Sequence, residues 1–581
     1  MAFGFINRAF AALSSGRRGS TQSGHSDSTT ATATAKDGQA ATGAAAAAAE
    51  AQDGLKRQIN ARQMVFMALS SSIGAGLLVA SGQALHNAGP GNMVLGFAAV
   101  GFGVVCTMAA LGEMAATLPL SGSFYTYTHR FVGPAAGFAM AWNFAFNWLI
   151  ILPFEIVTIS AQVRLWDTTG AAHPALVMAG FLAFVSLVSM MGSRWFSEAE
   201  NFLGGLKIIA IAIFICLALS LTTTGRPYVA DRAMTLPPGR IAYGTTWWQR
   251  PGAFLHGFQG FLTVFKIAGM AYGGTETLGL TAAECLRPAR LMRIATYVTF
   301  VRIFLFYLVG LTMLGFLLPS DAKELTPSGG GANPSPFVLA MRLAGLTAVE
   351  HIISACIVAA LTSMANVAIF ASSRALHALS SKGMAPKFLS RTTRGGVPLP
   401  ATVVAICFGL LAFVGAAPGG RVIFFWLLSL AGMSNYFTWL AICISHVRFR
   451  AALRHNGRAV SSLSFASPFG TWGSWVGIAT SLVGLCSQIA MAFWPLTPGQ
   501  PINTKDVLMD VTGAPAILIL FAAYWIYQRR TGRDSRILRP VAEIDVDTGF
   551  RGRAEVEREK EELSAAEAAA TGSTQAPRLS S

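Results

Sequence analysis

Two short glycine-containing segments stand within long apolar stretches, and their residue types suit the binding of a small zwitterion. The first is formed by Ile73, Gly74, Ala75 and Gly76, and the second by Tyr272, Gly273, Gly274, Thr275 and Glu276. Glycine weakens a helix, so we predict that a helix is interrupted at each segment. Free N–H groups at an interruption favour a carboxylate, whereas free carbonyls favour an ammonium group. An α-amino acid carries both groups.

The spacing of the two interruptions along the chain also carries information. Inside a membrane, backbone released from helical pairing is tolerated only where protein or a water-filled cavity satisfies it. An inverted repeat of five plus five spans predicts two broken helices that cross near the bilayer midplane beside a binding site. The alternative is that the glycines only allow helices to pack closely. One interruption would favour packing, whereas the matched pair favours a carrier.

Four acidic residues lie in or beside the apolar stretches: Glu113, Glu155, Glu276 and Glu284. A charge at the bilayer centre costs on the order of 2.5 to 3.5 kcal/mol, so each acid is a functional candidate. We expect Glu155 to line the cavity or to move a proton. Glu276 would contact the substrate or hold the interrupted segment against another helix. Glu113 and Glu284 lie near predicted cytoplasmic ends, where pairing with an arginine such as Arg374 would form a gate.

Two lysines lie within apolar stretches as well. Lys207 is a candidate for proton coupling, because a buried lysine can gain and lose a proton during a transport cycle. Its alternative is to extend from the start of its span to water. Lys266 would favour an acidic substrate if it faced the cavity; otherwise it pairs with an acid or reaches the external face. The pocket that selects the side chain is expected to draw on Asn147, Glu155, Lys266 and Tyr436.

Composition predicts that the apolar stretches are membrane spans. Apolar residues make up 53% of the 581 residues and charged residues 12%, and the mean hydropathy is +0.52. A soluble domain could not bury that much apolar surface. We therefore predict an all-α integral membrane protein of about twelve helices, with helices 1 and 6 broken. The predicted spans, each near the length that crosses a bilayer, are 64–86, 93–118, 135–163, 173–193, 200–223, 254–283, 293–318, 351–380, 400–416, 421–446, 472–494 and 512–528.

Basic residues predict the orientation of these spans. The side that holds the amino terminus carries twenty arginines and lysines in its segments, against nine on the other side, so both termini are expected in the cytosol. Basic residues scattered over many short loops account for the net charge of +16 without a nucleic-acid partner. The seven cysteines show no metal-ligand or redox spacing, and we expect no metal and no cofactor.

The chain divides into four parts. Residues 1–60 are expected to form a disordered cytosolic tail, 61–450 the transport core of spans 1 to 10, 451–530 spans 11 and 12, and 531–581 a cytosolic carboxy-terminal tail. Neither tail can bury enough apolar surface to fold alone. Their serine, threonine and lysine residues would suit ubiquitin-dependent or other trafficking machinery.

Seven segments occur in the order found in a known family: SSSIGAGLLVASG (70–82), LGEMAATLPLSGSFYTYTHRFVGPAAGFAMAWN (111–143), NWLIILPFE (147–155), PGAF (251–254), GGTETLGLTAAE (273–284), SSRALHALSSKGMAP (372–386) and WLLSLAGMSNYFTWLAICISHVRFR (426–450). Through them the sequence resembles the fungal amino-acid permeases, the yeast amino acid transporter family of the amino acid, polyamine and organocation superfamily. The likeness runs from about residue 60 to 530.

The resemblance implies a core of ten spans plus two, and alternating-access transport of amino acids. Ser72, Gly74 and Gly76 would surround the substrate carboxylate. The carbonyls around Tyr272 and Gly273 would accept hydrogen bonds from the ammonium group, and the ring of Tyr272 would close the site as a gate.

The resemblance also bears on the coupling ion and the membrane. Lys207 matches a lysine that many members place where sodium lies in sodium-coupled relatives, which favours proton symport. The usual location of the family is the plasma membrane. Lys266 departs from the family pattern, as do Ser71 and Ala75, so the preferred amino acid stays open between a neutral or broad range and a cationic or acidic one.

Other classes have less support. The sequence has no phosphate-binding glycine loop, no paired zinc ligands and no nucleophile motif, so we predict that it is not an enzyme. A sensor that binds amino acids without net transport is the remaining alternative. Uptake of substrate, or binding without uptake, separates the two.

Overall fold

The computed structural model describes residues 61–561 apart from 121, 168–172, 225–244, 283–284, 286–287, 323–324, 326–334, 394, 417–419, 497–503 and 559–560. The predicted amino-terminal tail and Glu284 lie outside the described residues. In the part described, the chain is helical, with an isolated β-bridge between Leu463 and Gly552.

The α-helices run in the following order: α1 Ala61–Ser70, α2 Ala75–Leu78, α3 Ser81–Thr117, α4 Ser123–Tyr127, α5 Pro134–Val163, α6 Pro174–Met190, α7 Ser193–Thr224, α8 Gly257–Ala271, α9 Thr277–Thr281, α10 Pro288–Arg302, α11 Gly310–Leu317, α12 Pro336–Leu343, α13 Thr347–Ser381, α14 Leu399–Gly409, α15 Gly420–His455, α16 Gly470–Phe493, α17 Thr504–Val511 and α18 Gly513–Arg530. A π-helical segment, Ile303–Val309, joins α10 to α11.

Within the described residues, six helices are long and apolar enough to cross a membrane, namely α3, α5, α7, the continuous α10–α11, α13 and α16. Shorter apolar helices include α6 and the stretches Met64–Leu78 and Leu399–Val414. In α3, α5 and α13, 72% of the most apolar 18-residue stretch is buried by protein, against 33% in α7 and α16. Helices α3, α5 and α13 therefore form the centre of the bundle. The apolar surface of α7 and α16 faces outward, as lipid contact requires.

The two predicted interruptions are present, and they face each other. The first separates α1, which ends at Ser70, from α2; the second separates α8, which ends at Ala271, from α9. A Cβ added at Gly76 would lie 2.6 Å from the Cα of Ala271, and one at Gly274, whose φ is +97°, would lie 2.6 Å from the carbonyl oxygen of Ser71. Glycine is therefore required for the close approach of the two broken helices, so the packing reading of these glycines also holds.

The first part of the carboxy-terminal tail, residues 531–558, folds against the helical body, and we call it the carboxy-terminal strap. The N–H of Arg539 donates to the carbonyl of Val132, and the N–H of Arg551 donates to the carbonyl of Thr117, both at 2.8 Å. Its side chains that face the bundle, Ile544 and Val546, are buried. The strap lacks the apolar surface to fold alone, and it gains its structure from the helix ends beneath it.

An ion pair holds the middle of the strap. Arg130 Nη2 lies 2.9 Å from Asp545 Oδ2. Partial burial acts to raise the pKa of Asp545, but hydrogen bonds from Thr548 and Asp547 and the charge of Arg130 outweigh it and hold the pKa at about 2. The carboxylate therefore stays charged at any physiological pH, and the contact does not depend on protonation.

Candidate functional site

A small buried cavity lies where the two interruptions meet. Its volume is about 20 Å³, room for roughly one water molecule. An amino acid would need the surrounding helices to move apart. Six of the lining residues were predicted from the sequence and five were not; the full lining is Ser72, Gly74, Gly76, Asn147, Glu155 and Gly273, with Ile151, Phe154, Met270, Met364 and Asn435.

Glu155 reaches the first interruption from α5. The N–H of Ala75 donates to Oε1 of Glu155 at a long distance of 3.4 Å. Oε2 is buried and has no hydrogen-bond partner among the described residues. A buried carboxylate normally accepts several hydrogen bonds, so the Glu155 carboxyl is poorly satisfied in the closed cavity.

Two asparagines also line the cavity, Asn147 and Asn435. Nδ2 of Asn147 donates to Oδ1 of Asn435 at 2.9 Å, and Nδ2 of Asn435 donates to the carbonyl of Gly269 at 3.1 Å. These two hydrogen bonds link α5 to α15 and α15 to the last turn of α8. Oδ1 of Asn147 is buried, with no partner among the described residues. It is the second oxygen of the cavity lining that lacks a donor.

Lys207 lies inside the protein, with its side chain 1% exposed, and does not extend to water. Its Nζ donates to the carbonyl of Ser70 at 2.9 Å and to that of Ile73 at 3.4 Å, at the two ends of the first interruption. Glu200, which the sequence reading missed, lies 3.7 Å from the ammonium and accepts hydrogen bonds from the hydroxyls of Ser70 and Ser363. Lys207 therefore satisfies backbone that the broken helix leaves free.

Glu276 stabilises the second interruption from within. Its Oε1 accepts from the N–H of Gly274 at 3.1 Å, and its Oε2 accepts from Nε1 of Trp439 at 3.3 Å. The neighbouring Thr275 donates its hydroxyl to the carbonyl of Tyr272 at 2.7 Å. Of the two roles expected for Glu276, these contacts fit the holding of the unwound segment against α15.

Tyr272 lies at the end of α8, fully buried. Its hydroxyl donates to the carbonyl of Phe97 at 2.9 Å, and its ring stacks on Tyr307 with centroids 4.4 Å apart. Tyr272 is not part of the cavity lining, although the adjacent Gly273 is. The ring is packed against α3 and the π-helical segment, and a gating role would require it to leave this position.

Two further residues hold the interruptions and were missed from the sequence: Arg302 and Tyr307, both fully buried. Arg302 donates to the carbonyl of Ala68 at 2.7 Å and to the hydroxyl of Thr275 at 2.7 Å. An arginine in the apolar run VTFVRIFLF was the signal available, because a charge within a span is costly unless it has a function.

Lys266 and Tyr436 lie away from the cavity lining. Lys266 forms an ion pair with Asp510 of α17, and its side chain is 42% exposed. Its other predicted role, pairing with an acid, is the one seen. Tyr436 is buried and donates to the carbonyl of Phe265 at 2.6 Å.

Glu113 and Arg374, two of the predicted gate residues, are not paired with each other, and the predicted pairing of Glu284 lies outside the described residues. Both oxygens of Glu113 accept from Arg450, at 2.6 and 2.5 Å, and Nε2 of His446 lies 3.0 Å from Oε1. The expected partner, Arg374, instead donates to the hydroxyl of Ser193 at 3.0 Å and lies over the ring of Phe370. The pairing of Glu113 with an arginine was therefore predicted, but with the wrong arginine, because contacts between helices cannot be predicted from spacing.

No group of three or more potential metal ligands occurs among the described residues.

A bundle of apolar helices in which two interrupted helices meet at a buried polar cavity is the architecture of a membrane carrier. The family model described as amino acid permease matches residues 63–536. The chain therefore belongs to the amino acid permease family, which confirms the resemblance and the prediction that the protein is a multi-pass membrane transporter rather than an enzyme.

The chain is also similar to curated permeases over most of its length. The chain is 35% identical to the general amino-acid permease GAP1 of Saccharomyces cerevisiae, over 86% of this chain and 81% of the relative. It is 35% identical to the amino-acid permease GAP3 of Candida albicans, over 88% and 83%, and 34% identical to the S-adenosylmethionine permease GAP4 of the same organism, over 88% and 81%. Among solved structures, Mhp1, a nucleobase-cation-symport-1 family transporter, is 15% identical with a TM-score of 0.43, covering 82% of this chain and 96% of Mhp1.

Proposed function

We propose that this protein takes up amino acids by proton-coupled alternating access. The observation that carries the proposal is a pair of buried oxygens in the cavity lining, Oε2 of Glu155 and Oδ1 of Asn147, that lack a donor among the described residues. Buried acceptors of this kind are costly unless a ligand or a proton satisfies them. A substrate ammonium group and a proton on Glu155 would supply the two missing kinds of donor.

The balance of buried charge supports coupling to one proton. Among the described residues, five carboxyl, amino or guanidinium side chains lie buried around the two interruptions: Glu155, Glu200, Glu276, Lys207 and Arg302. With all five ionised, three acids and two bases leave a net charge of −1. Buried charge that is not balanced is expensive, and one added proton removes it. Glu155 is the acid with the fewest hydrogen bonds, so we assign the proton to it.

This assignment couples the proton to the substrate. The N–H of Ala75 now donates to Glu155, at the place where the carboxylate of an amino acid would bind beside Ser72, Gly74 and Gly76. A charged Glu155 would repel that carboxylate. A protonated Glu155 would allow it to bind, and the carbonyls around Tyr272 and Gly273 would then take the ammonium group.

The cavity lining favours a neutral amino acid or a broad range. Its side chains are one acid, two amides, one hydroxyl and the apolar groups of Ile151, Phe154, Met270 and Met364. Lys266, which would have favoured acidic substrates, is paired with Asp510 elsewhere. An amino acid with a cationic side chain could also bind beside Glu155, so that substrate class stays open.

The proposed twelve spans, cytosolic termini and plasma-membrane location rest on the sequence and on the family.

The test is uptake of radiolabelled neutral, acidic and basic amino acids into liposomes that contain the purified protein. With an inward proton gradient and no sodium, we expect uptake of neutral amino acids, abolished by a protonophore. Glu155→Gln should lose the response to the gradient but keep exchange of amino acids at equal pH. The control, Glu198→Gln on the exposed face of α7, should behave as the parent protein.

Two results would overturn parts of the proposal. A requirement for sodium would contradict proton coupling. Measurable binding of an amino acid without net uptake or exchange would identify the protein as a sensor.

A further inference from the structure

The π-helical segment Ile303–Val309 places two polar side chains against the two interruptions. Arg302 and Tyr307 are five residues apart, a spacing that in an α-helix would turn them about 140° away from each other. A π-helix closes its hydrogen bonds to the fifth residue, so residues at this spacing come onto similar faces. Both side chains are fully buried and both point at the broken helices.

Arg302 joins the two interruptions through its two terminal nitrogens. Nη1 donates to the carbonyl of Ala68 at 2.7 Å, in the last turn of α1, and lies 3.3 Å from the hydroxyl of Ser71. Nη2 donates to the hydroxyl of Thr275 at 2.7 Å, in the second interruption. No described acid lies within 4.0 Å as an ion-pair partner, so Arg302 is bound mainly to the ends of the broken helices.

Tyr307 makes the second link. Its hydroxyl oxygen lies 2.9 Å from the carbonyl of Ser72, 2.9 Å from the Ser72 hydroxyl and 2.8 Å from the carbonyl of Ala271. One hydroxyl has one hydrogen to donate, so the two carbonyls share it while the Ser72 hydroxyl can donate to the oxygen. The last carbonyl of α8 is thereby tied to the first interruption.

We infer that Arg302 and Tyr307 form a clasp that holds the two interruptions together as one unit and orients the carbonyls that bind the substrate ammonium group. Both are positioning residues, since neither lines the cavity. Ser72, which Tyr307 contacts, and Gly273 in the second interruption do line it. The part of the inference that concerns the ammonium group rests on the proposed function. The clasp itself does not.

Hydrogen–deuterium exchange of the purified full-length protein tests the clasp without any substrate. In Tyr307→Phe and Arg302→Lys, we expect peptides that cover residues 68–76 and 268–277 to lose protection together, because each variant removes links to both segments. Matched controls on the same helix are Tyr297→Phe, whose ring is 40% exposed, and Arg293→Lys, which donates to the carbonyl of Ser464. Unchanged exchange at both segments, or loss confined to α10, would overturn the inference.

Equilibrium binding and initial uptake rates test the role in binding. Tyr307→Phe should raise the Kd and the KM for the transported amino acid about tenfold, the effect of losing one well-placed buried hydrogen bond, with the maximal rate changed less than twofold. A fall in the maximal rate at unchanged KM would contradict the positioning role. If the parent protein bound no amino acid, the proposed function would fail, while the exchange measurement would still decide whether the clasp exists.

Discussion

At the scale of single residues, the site is organised by buried polar groups that complete the broken backbone. Lys207 supplies donors to two carbonyls of the first interruption, and Glu276 accepts from an N–H of the second. Each such group offsets the cost of exposing unpaired backbone inside an apolar bundle. Glu155 is the exception, because one of its oxygens has no described partner, and it is the group that a proton would satisfy best.

Lys207 gives the sharpest test at this scale. Lys207→Met should abolish uptake and lower the melting temperature of the purified protein, since removing one member of a buried ion pair typically costs about 3 to 5 kcal/mol. Lys266→Met, which breaks a half-exposed pair with Asp510, should change stability by about 1 kcal/mol or less and leave the preferred substrate class unchanged. Thermal unfolding and competition uptake measure both effects.

The two lysine variants also decide between the readings of the sequence. If Lys207→Met changed stability and uptake as little as Lys266→Met, the alternative that Lys207 reaches water would be favoured. Its buried contacts would then contribute nothing to stability or transport. A change of substrate class in Lys266→Met would mean that this side chain enters the cavity during transport.

At the scale of the helices, the interruptions matter because they let two backbones approach. Gly76 contacts the backbone of α8 at a distance that leaves no room for a side chain. The break between Ser70 and Ala75 and the break between Ala271 and Thr277 place carbonyls and N–H groups that are not used in helical pairing beside one cavity. A continuous helix would have used these groups internally and could bind nothing with them.

Gly76→Ala should separate the broken helices. The added Cβ would lie 2.6 Å from the Cα of Ala271, so the backbone must shift, at an expected cost of about 1 to 3 kcal/mol and with loss of most uptake. The control is Gly310→Ala in α11, where an added Cβ meets nothing within 4 Å. It should leave uptake unchanged and stabilise the helix by about 0.5 to 1 kcal/mol. Equal effects of the two substitutions on melting temperature and uptake would contradict this account.

At the scale of the whole molecule, the carboxy-terminal strap closes over helix ends on the side that the basic residues assign to the cytosol. It contacts the ends of α3 and of the segment Thr128–Val132, and Arg448 of α15 donates to the carbonyl of Arg539. These elements come from distant parts of the chain. The strap therefore links helix ends that lie far apart in the sequence.

Truncation tests the strap. Deletion of residues 531–581 should lower the melting temperature and increase labelling of cysteines introduced at the helix ends that the strap contacts, because the Arg130–Asp545 pair and the backbone contacts are lost. Deletion of residues 559–581 leaves the strap intact and should have no effect on either measurement. If the two truncated proteins were equally stable and equally labelled, the strap would have no structural role.

Much of the local structure follows from the sequence, because it depends on near neighbours. Apolar runs long enough to cross a bilayer predicted where helices occur, and glycine within two of them predicted the interruptions. Gly74, Gly76 and Gly273, which line the cavity from those interruptions, were predicted for the same reason, and Ser72 was predicted from the family resemblance. Glu155 and Asn147 were expected in the pocket as polar residues within an apolar span.

The partners of these residues were decided only by the tertiary structure. Glu200 beside Lys207, Asn435 beside Asn147 and Arg450 beside Glu113 are each pairs formed between different helices, and the face that a helix turns to its neighbour depends on packing. The π-helical segment that aims Arg302 and Tyr307 at the interruptions leaves no signal in spacing, since one changed hydrogen-bond register reorients a side chain without altering composition. The sequence determined which polar groups lie within apolar helices, and the packing of the helices determined which of them meet.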